Sequence, residues 1–215
     1  MIAEYQRRFL EFAIESGVLQ FGEFELKSGR VSPYFFNSGL FNGGRALSLL
    51  GEFYCEALVN ADIEFDLLFG PAYKGIPLVS TTAIALYAKQ GRDVPYAFNR
   101  KEIKGHGEGG QIVGAELKGK VVIVDDVITA GTAIREVMEL LKDSPVEVTG
   151  VLVAIDRQEK GKGDLSAIQE VKKEYGISVA SVVKLNDLVD YMEARDQYNV
   201  EVELINHYRE KYGTD

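Results

Sequence analysis

Residues 121–133 read VVIVDDVITAGTA. Four aliphatic side chains run into two adjacent carboxylates, Asp125 and Asp126, and then into small residues. An aliphatic run of this length suits a strand buried on both faces. Beyond it, Ile134, Val137, Met138 and Leu141 recur at i, i+3, i+4 and i+7, the stripe of an amphipathic helix. The loop between them is therefore expected at the carboxyl edge of a sheet, where a helix begins. Gly131 permits a turn that other residues resist. Thr129, Ala130 and Thr132 are small, so backbone N–H groups there can approach a ligand closely, and the two hydroxyls add donors. The helix start adds unpaired N–H groups and the positive end of its dipole. Together these describe a cradle for a phosphate dianion.

The two carboxylates would repel that phosphate. They suit the hydroxyl groups beside it, as on a ribose, positive charge that develops during a reaction, or a nearby Mg²⁺. Phosphate at one end and hydroxyls at the other describe a ribose 5-phosphate. The plainer reading takes Asp125 and Asp126 as strand-end and turn acids. A tandem pair between four aliphatics and a small-residue helix start favours the functional one. A Walker-type nucleotide fold also ends a strand in Asp, but the chain has no G-x-x-x-x-G-K-[ST] loop.

Outward from this stretch, strands and helices alternate. Residues 4–15 read as a helix with Tyr5, Phe9, Phe12 and Ala13 on one face, and 45–59 as a second. Residues 18–37, around KSGRVSP, read as a short antiparallel element with turns. Strands are expected at 65–70, 94–98, 146–156 and 177–184. Helices are expected at 75–91, with Pro77 in the first turn, and at 164–175, 186–195 and 200–212. This alternation predicts an α/β fold in one domain, a central parallel sheet flanked by helices. Ligands bind at the carboxyl ends of such strands, which points to residues 70–75, 125–132 and 156–157.

The chain of 215 residues carries a net charge of −9, so nucleic acid is a poor expectation as partner. A small phosphorylated ligand remains open where cations concentrate, as at Arg100, Lys101, Lys104 and His106. No apolar run approaches the roughly 20 residues needed to cross a bilayer. The N-terminus does not read as a secretory signal. A single cysteine, Cys55, lies in a helical apolar pattern and reads as packing, which points to a reducing, cytoplasmic home.

Three other stretches carry chemistry. GPAYKG (70–75) is either an ordinary strand–helix turn or a second anion loop with the cation Lys74. NRKEIKGHGEGGQIVG (99–114) is rich in glycine and cations and reads as a mobile surface hairpin, able to act as a lid over an anion. FELKSGRVSPYFFNSG (24–39) places Lys27 near the aromatic pair Phe35 and Phe36, which completes a core in the plainer reading. In IDRQ (155–158), Arg157 follows a strand; a guanidinium can grip a carboxylate through two parallel hydrogen bonds.

The stretch at 121–133 resembles the phosphoribosyl pyrophosphate (PRPP) signature of the type I phosphoribosyltransferases. With GPAYKG, the lid stretch and the Lys27 stretch, nearly the whole chain is similar to the orotate-specific members of that family. The resemblance implies the type I phosphoribosyltransferase fold with a small N-terminal hood, formed mainly by about residues 1–40, and a lid at 99–114. It implies transfer of the phosphoribosyl group of PRPP to orotate, with Mg²⁺ bound mainly through PRPP. Asp125, Asp126, Lys101, Lys104 and His106 are then the expected catalytic residues. Lys27, Tyr73, Lys74, Arg100, Lys101, Lys104, His106 and residues Asp125, Asp126, Val127, Ile128, Thr129, Ala130, Gly131, Thr132 and Ala133 would bind PRPP. Phe35, Phe36, Thr129 and Arg157 would bind orotate. A non-proline cis peptide is implied between Ala72 and Tyr73, as is a homodimer in which Arg100 and the lid serve the neighbouring subunit. A PRPP-sensing regulator would bring a nucleic-acid surface that this acidic chain lacks. A purine-specific enzyme would not need Arg157 or the aromatic pair.

Overall fold

The computed structural model describes residues 2–26, 28–104, 110–161 and 163–214, the side chains at 103 and 104 excepted. Its centre is a six-stranded sheet in the order β5-β4-β3-β6-β7-β8. The strands are β3 (Leu67–Gly70), β4 (Tyr96–Lys104), β5 (Gly110–Gly114), β6 (Gly119–Val124), β7 (Val146–Asp156) and β8 (Ser178–Lys184). All neighbours are parallel except β5, which runs antiparallel to β4 at the edge.

The aliphatic runs are buried because both faces are covered. Leu68, Val122, Val124, Leu152 and Ala154 point into one core, which α2 (Gly44–Asn60) and α3 (Gly75–Gln90) cover. Leu67, Phe69, Val121, Ile123, Val151 and Val153 point into the other, under α4 (Thr132–Leu141) and α5 (Ala167–Tyr175). The period of two along each strand thus sorts one aliphatic run into two cores. Each such side chain contributes about 1.5–3 kcal/mol on burial. Cys55 is fully buried in α2, where loss of solvation pushes its thiol pKa up, as suits a packing residue.

From β3 the chain crosses through α3 to β4 on one side, whereas β6 lies on the other side of β3. The loops leaving β3 and β6 therefore part at a switch in strand order, the place where open α/β sheets bind ligands.

The N-terminal part forms α1 (Glu4–Glu15) and a separate hairpin of β1 (Leu19–Glu25) and β2 (Val31–Phe36). Ser32, Tyr34 and Phe36 alternate inward along β2, and Val31 and Phe35 outward. Two helices, α6 (Leu185–Glu193) and α7 (Asn199–Tyr212), close the chain, and α7 packs against β2.

Two expectations needed correction. β4 runs on to Lys104 rather than ending at 98, and pairs there with β5 as the hairpin expected within 99–114. The extension has one cause: the charged stretch 99–104 finds partners in β5 at the sheet edge, where polar side chains keep one side in water. Helix α5 begins at Ala167, not 164, because Ser166 caps it by accepting the Gln169 N–H.

Candidate active site

At the end of β6, the chain keeps pairing with β7 past the last strand residue. The Asp125 N–H donates to Leu152 O at 3.0 Å, and the Ala154 N–H to Asp126 O at 2.9 Å. These bonds bring the acid pair to the carboxyl edge. Asp125 is 7% exposed, and its Oδ1 accepts the Asp126 N–H at 2.9 Å. Tyr54 from α2 donates its hydroxyl to Asp125 O at 2.9 Å. Burial, and then the charge of Asp126, push the Asp125 carboxyl up to about 7; the Asp126 N–H and Lys74 oppose them.

The loop after the pair is anchored by Ile128, buried in the core under α4 and α5. Thr129, Ala130, Thr132 and Ala133 are exposed beside it. Gly131 takes φ +70 at the helix N-cap, a conformation that glycine adopts without steric cost. Arg135 reaches back to hold Ala130 O at 2.8 Å and is itself paired with Glu170 and Glu174. The N–H groups of residues 127–133 donate to no hydrogen bond among the described residues. An anion seated there meets donors that have no competing partner.

The second loop, at 70–75, leaves β3 next door. Its Ala72–Tyr73 peptide is cis, as the resemblance implied. The Ala72 N–H donates to Asn99 Oδ1 of β4 at 2.8 Å. Lys74 crosses to the acid pair, with Nζ 2.7 Å from Asp126 Oδ2 and 3.0 Å from Ser38 Oγ. Ser38 donates to the same Asp126 oxygen at 2.5 Å. A cation from one loop, a carboxylate from the other and a hydroxyl from the segment after β2 thus meet at one point. Lys101 of β4 lies over the Tyr73 ring, its Nζ 5.3 Å from the centroid. The side chain of Arg100, in β4, forms no hydrogen bond or ion pair among the described residues.

Arg157 follows β7 and is held in a polar nest. Its Nε and Nη2 donate to Glu159 Oε1 at 3.1 and 2.7 Å, and Nη2 also reaches Ser32 Oγ at 3.3 Å. The guanidinium lies over the Tyr34 ring, 4.5 Å from its centroid. Phe36 is 8% exposed and packs on Phe9 and Phe41, whereas Phe35 is 36% exposed and stacks on Phe24. The side chain of Phe36 therefore completes the core, the plainer of the two roles considered for it. Lys27 and His106, and the side chain of Lys104, lie outside the described residues.

Sequence reasoning missed Ser38, Asn99, Tyr54 and Glu159. Their partners lie far away in the chain, Asp126 being 88 residues beyond Ser38, so no local pattern marks them. Glu159 is the exception, because an acid two residues after Arg157 is legible as a candidate ion partner.

Among the described residues, no group of three or more His, Cys, Asp and Glu side chains is arranged to hold a metal ion. No described helix is long and apolar enough to cross a membrane.

A family model described as the phosphoribosyl transferase domain matches residues 42–187. The orotate phosphoribosyltransferase of Photobacterium profundum is 61% identical over 209 residues, 97% of this chain and 98% of that protein. The Vibrio cholerae orotate phosphoribosyltransferase matches equally, at 61% over 209 residues. A crystal structure of the Francisella tularensis orotate phosphoribosyltransferase superposes with a TM-score of 0.88 at 44% identity, covering 96% of this chain and all of that one. With the switch-point loops and the acid pair in place, these likenesses over nearly the full length decide the matter: the chain belongs to the phosphoribosyltransferase family, among its orotate phosphoribosyltransferases.

Proposed function

We propose that this site transfers the phosphoribosyl group of PRPP to N1 of orotate, giving orotidine 5′-monophosphate and diphosphate in pyrimidine biosynthesis. The observation that carries the reading is the contact between two unlike surfaces. Unpartnered N–H groups at 127–133 stand directly after the acid pair of buried Asp125 and partly exposed Asp126. The first surface suits the 5′-phosphate; the second suits the ribose diol and the positive charge that grows at C1 as the diphosphate departs.

Each residue then has a task. Backbone groups of Val127 to Ala133, with the hydroxyls of Thr129 and Thr132, seat the 5′-phosphate. Asp125 and Asp126 accept from the ribose hydroxyls and stabilise the oxocarbenium-like centre. Lys74 leaves Asp126 to meet the diphosphate beside Tyr73, and Lys101 stands next to it. Lys27, Lys104 and His106 keep the PRPP roles that the resemblance implies. Arg157 takes the orotate carboxylate, with the exposed Phe35 and Thr129 bordering the base, while Phe36 holds the hood strand to the core beneath them. Positioning and electrostatics supply the acceleration, with no covalent enzyme intermediate. The hard oxygen donors of the acid pair fit Mg²⁺ held mainly through PRPP, which when bound would neutralise the leaving diphosphate.

The segment up to about residue 40 forms the hood and 99–114 the lid. The active unit is a homodimer in which Arg100 and the lid serve the neighbouring subunit. Two features support this: the Arg100 side chain has no partner among the described residues, and Ile84 and Tyr87 on α3 are exposed. The single buried cysteine suits a cytoplasmic location.

The test is an absorbance assay of orotate with PRPP and Mg²⁺, alongside adenine and guanine. Orotate consumption that depends on PRPP is the expected result; turnover of a purine without orotate loss would overturn the reading. Within it, Lys74→Ala is expected to raise the KM for PRPP by roughly ten- to a hundredfold, the size of one lost charge-assisted contact of about 1.5–3 kcal/mol. Initial rates at varied PRPP check this; an unchanged KM would free Lys74 from the diphosphate.

A further inference from the structure

Glu159 is built into the protein more firmly than a surface acid beside an arginine needs to be. Its Oε1 accepts from Arg157 Nε and Nη2 and from the Tyr34 hydroxyl at 2.9 Å. Its Oε2 accepts from the Tyr208 hydroxyl at 3.2 Å. The side chains of Arg157 and Glu159 are only 14% and 11% exposed. Tyr34 is fully buried in β2, and Tyr208 is buried in α7. The hydroxyl of Tyr208 is pushed up to about 12 by burial and by Glu159, and that of Tyr34 well above the usual range by burial, so both remain donors at neutral pH.

The segment that carries Glu159 is pinned as well. The Lys160 N–H donates to Tyr212 O and the Thr214 N–H to Gln158 O, both at 2.8 Å. Arg30 donates to Lys160 O at 2.7 Å and lies over the Tyr212 ring. The N-terminal hairpin and the end of the chain thus grip the same short stretch from two sides.

We infer that Glu159 is a positioning residue for recognition of the base carboxylate. It occupies the Nε–Nη2 edge of Arg157 and so leaves the Nη1–Nη2 edge as the one that a ligand carboxylate can meet. Nη1 makes no hydrogen bond among the described residues, and on the Nη2 side that edge carries only the long 3.3 Å contact to Ser32 Oγ, which an incoming carboxylate would replace. A planar guanidinium has two such edges, and fixing one sets the direction of the other. Through Tyr34 and Tyr208, two elements far apart in sequence set the angle at which the carboxylate is read. The inference rests on the proposed role of Arg157 at the orotate carboxylate.

The experiment is steady-state kinetics with orotate and PRPP varied independently, on the full chain with Mg²⁺. Glu159→Ala is expected to raise the KM for orotate at least about tenfold, with the KM for PRPP and kcat at saturating orotate within about twofold. Glu159→Gln retains an acceptor at Oε1, and its orotate KM is expected at or near the parent value. Arg157→Ala is the control for the underlying reading. If it raises the orotate KM and Glu159→Ala does not, the positioning role alone is overturned. If Arg157→Ala has no effect, both fall. A Gln variant as impaired as the Ala variant also overturns positioning, because the charge would then be what matters. Should Glu159→Ala fail to fold, Tyr208→Phe decides: a rise of about threefold in the orotate KM alone supports the inference, and no change overturns it.

Discussion

Replacing Asp125 by Asn is expected to slow kcat by about two to three orders of magnitude and, at pH 8, to make the protein more stable. The two effects have one origin. Asp125 is buried at the edge of β6, and burial with the charge of Asp126 raises its carboxyl to about 7. A carboxyl raised above its unfolded value binds a proton on folding. Its contribution to stability is fully present below the unfolded value of 3.8 and is lost as pH rises through about 7. Above that, the buried charge costs up to about 4 kcal/mol, at roughly 1.4 kcal/mol per unit. Asparagine removes the charge and keeps an Oδ1 for the Asp126 N–H. The Tm advantage of the variant should therefore be small at pH 4 and grow towards pH 8. Asp126→Asn should lose comparable activity without that gain, because Asp126 is paired with Lys74 and Ser38. Lys74 is largely exposed, so the lost pair costs only about 0–1 kcal/mol. Melts across this pH range and kcat at saturating substrates check both. Parallel losses of activity and stability in the two variants would count against an electrostatic role for the acid pair.

Gly70→Ala is expected to cost about 3 kcal/mol or more and to abolish tight PRPP binding. A Cβ at Gly70 would stand 2.3 Å from Gly75 O and 2.6 Å from Val79 Cγ1. The first is backbone and cannot swing aside. The loop 70–75 folds back on itself here, so relief would move Tyr73 and Lys74 away from Asp126. Gly44→Ala is the control, since nothing lies within 4 Å of its added Cβ and alanine favours the helix. Thermal melts and the KM for PRPP should separate the two variants clearly; a Gly70→Ala protein with parental values would show that the loop tolerates a wider turn.

The local chemistry of the site was legible in the residues from 121 to 133. An aliphatic run names a doubly covered strand, tandem acids mark its edge, and a glycine between small residues names a helix start open to an anion. Periodicity placed the sheet, its helices and the strand ends where ligands bind. All of these are properties of neighbours in the chain, which sequence displays directly.

What only the tertiary structure decided is which side chains meet across elements. Lys74 and Asp126 stand 52 residues apart, and Tyr34 and Glu159 125 apart. They touch because β3 and β6 are sheet neighbours, and because β2 and α7 close over the end of β7. The raised carboxyl of Asp125 likewise comes from burial, which no single residue carries. A chain's short-range pattern sets the torsions and faces of each element. Pair contacts and desolvation depend on how whole elements pack, and that follows from the summed burial of two cores rather than from any one stretch.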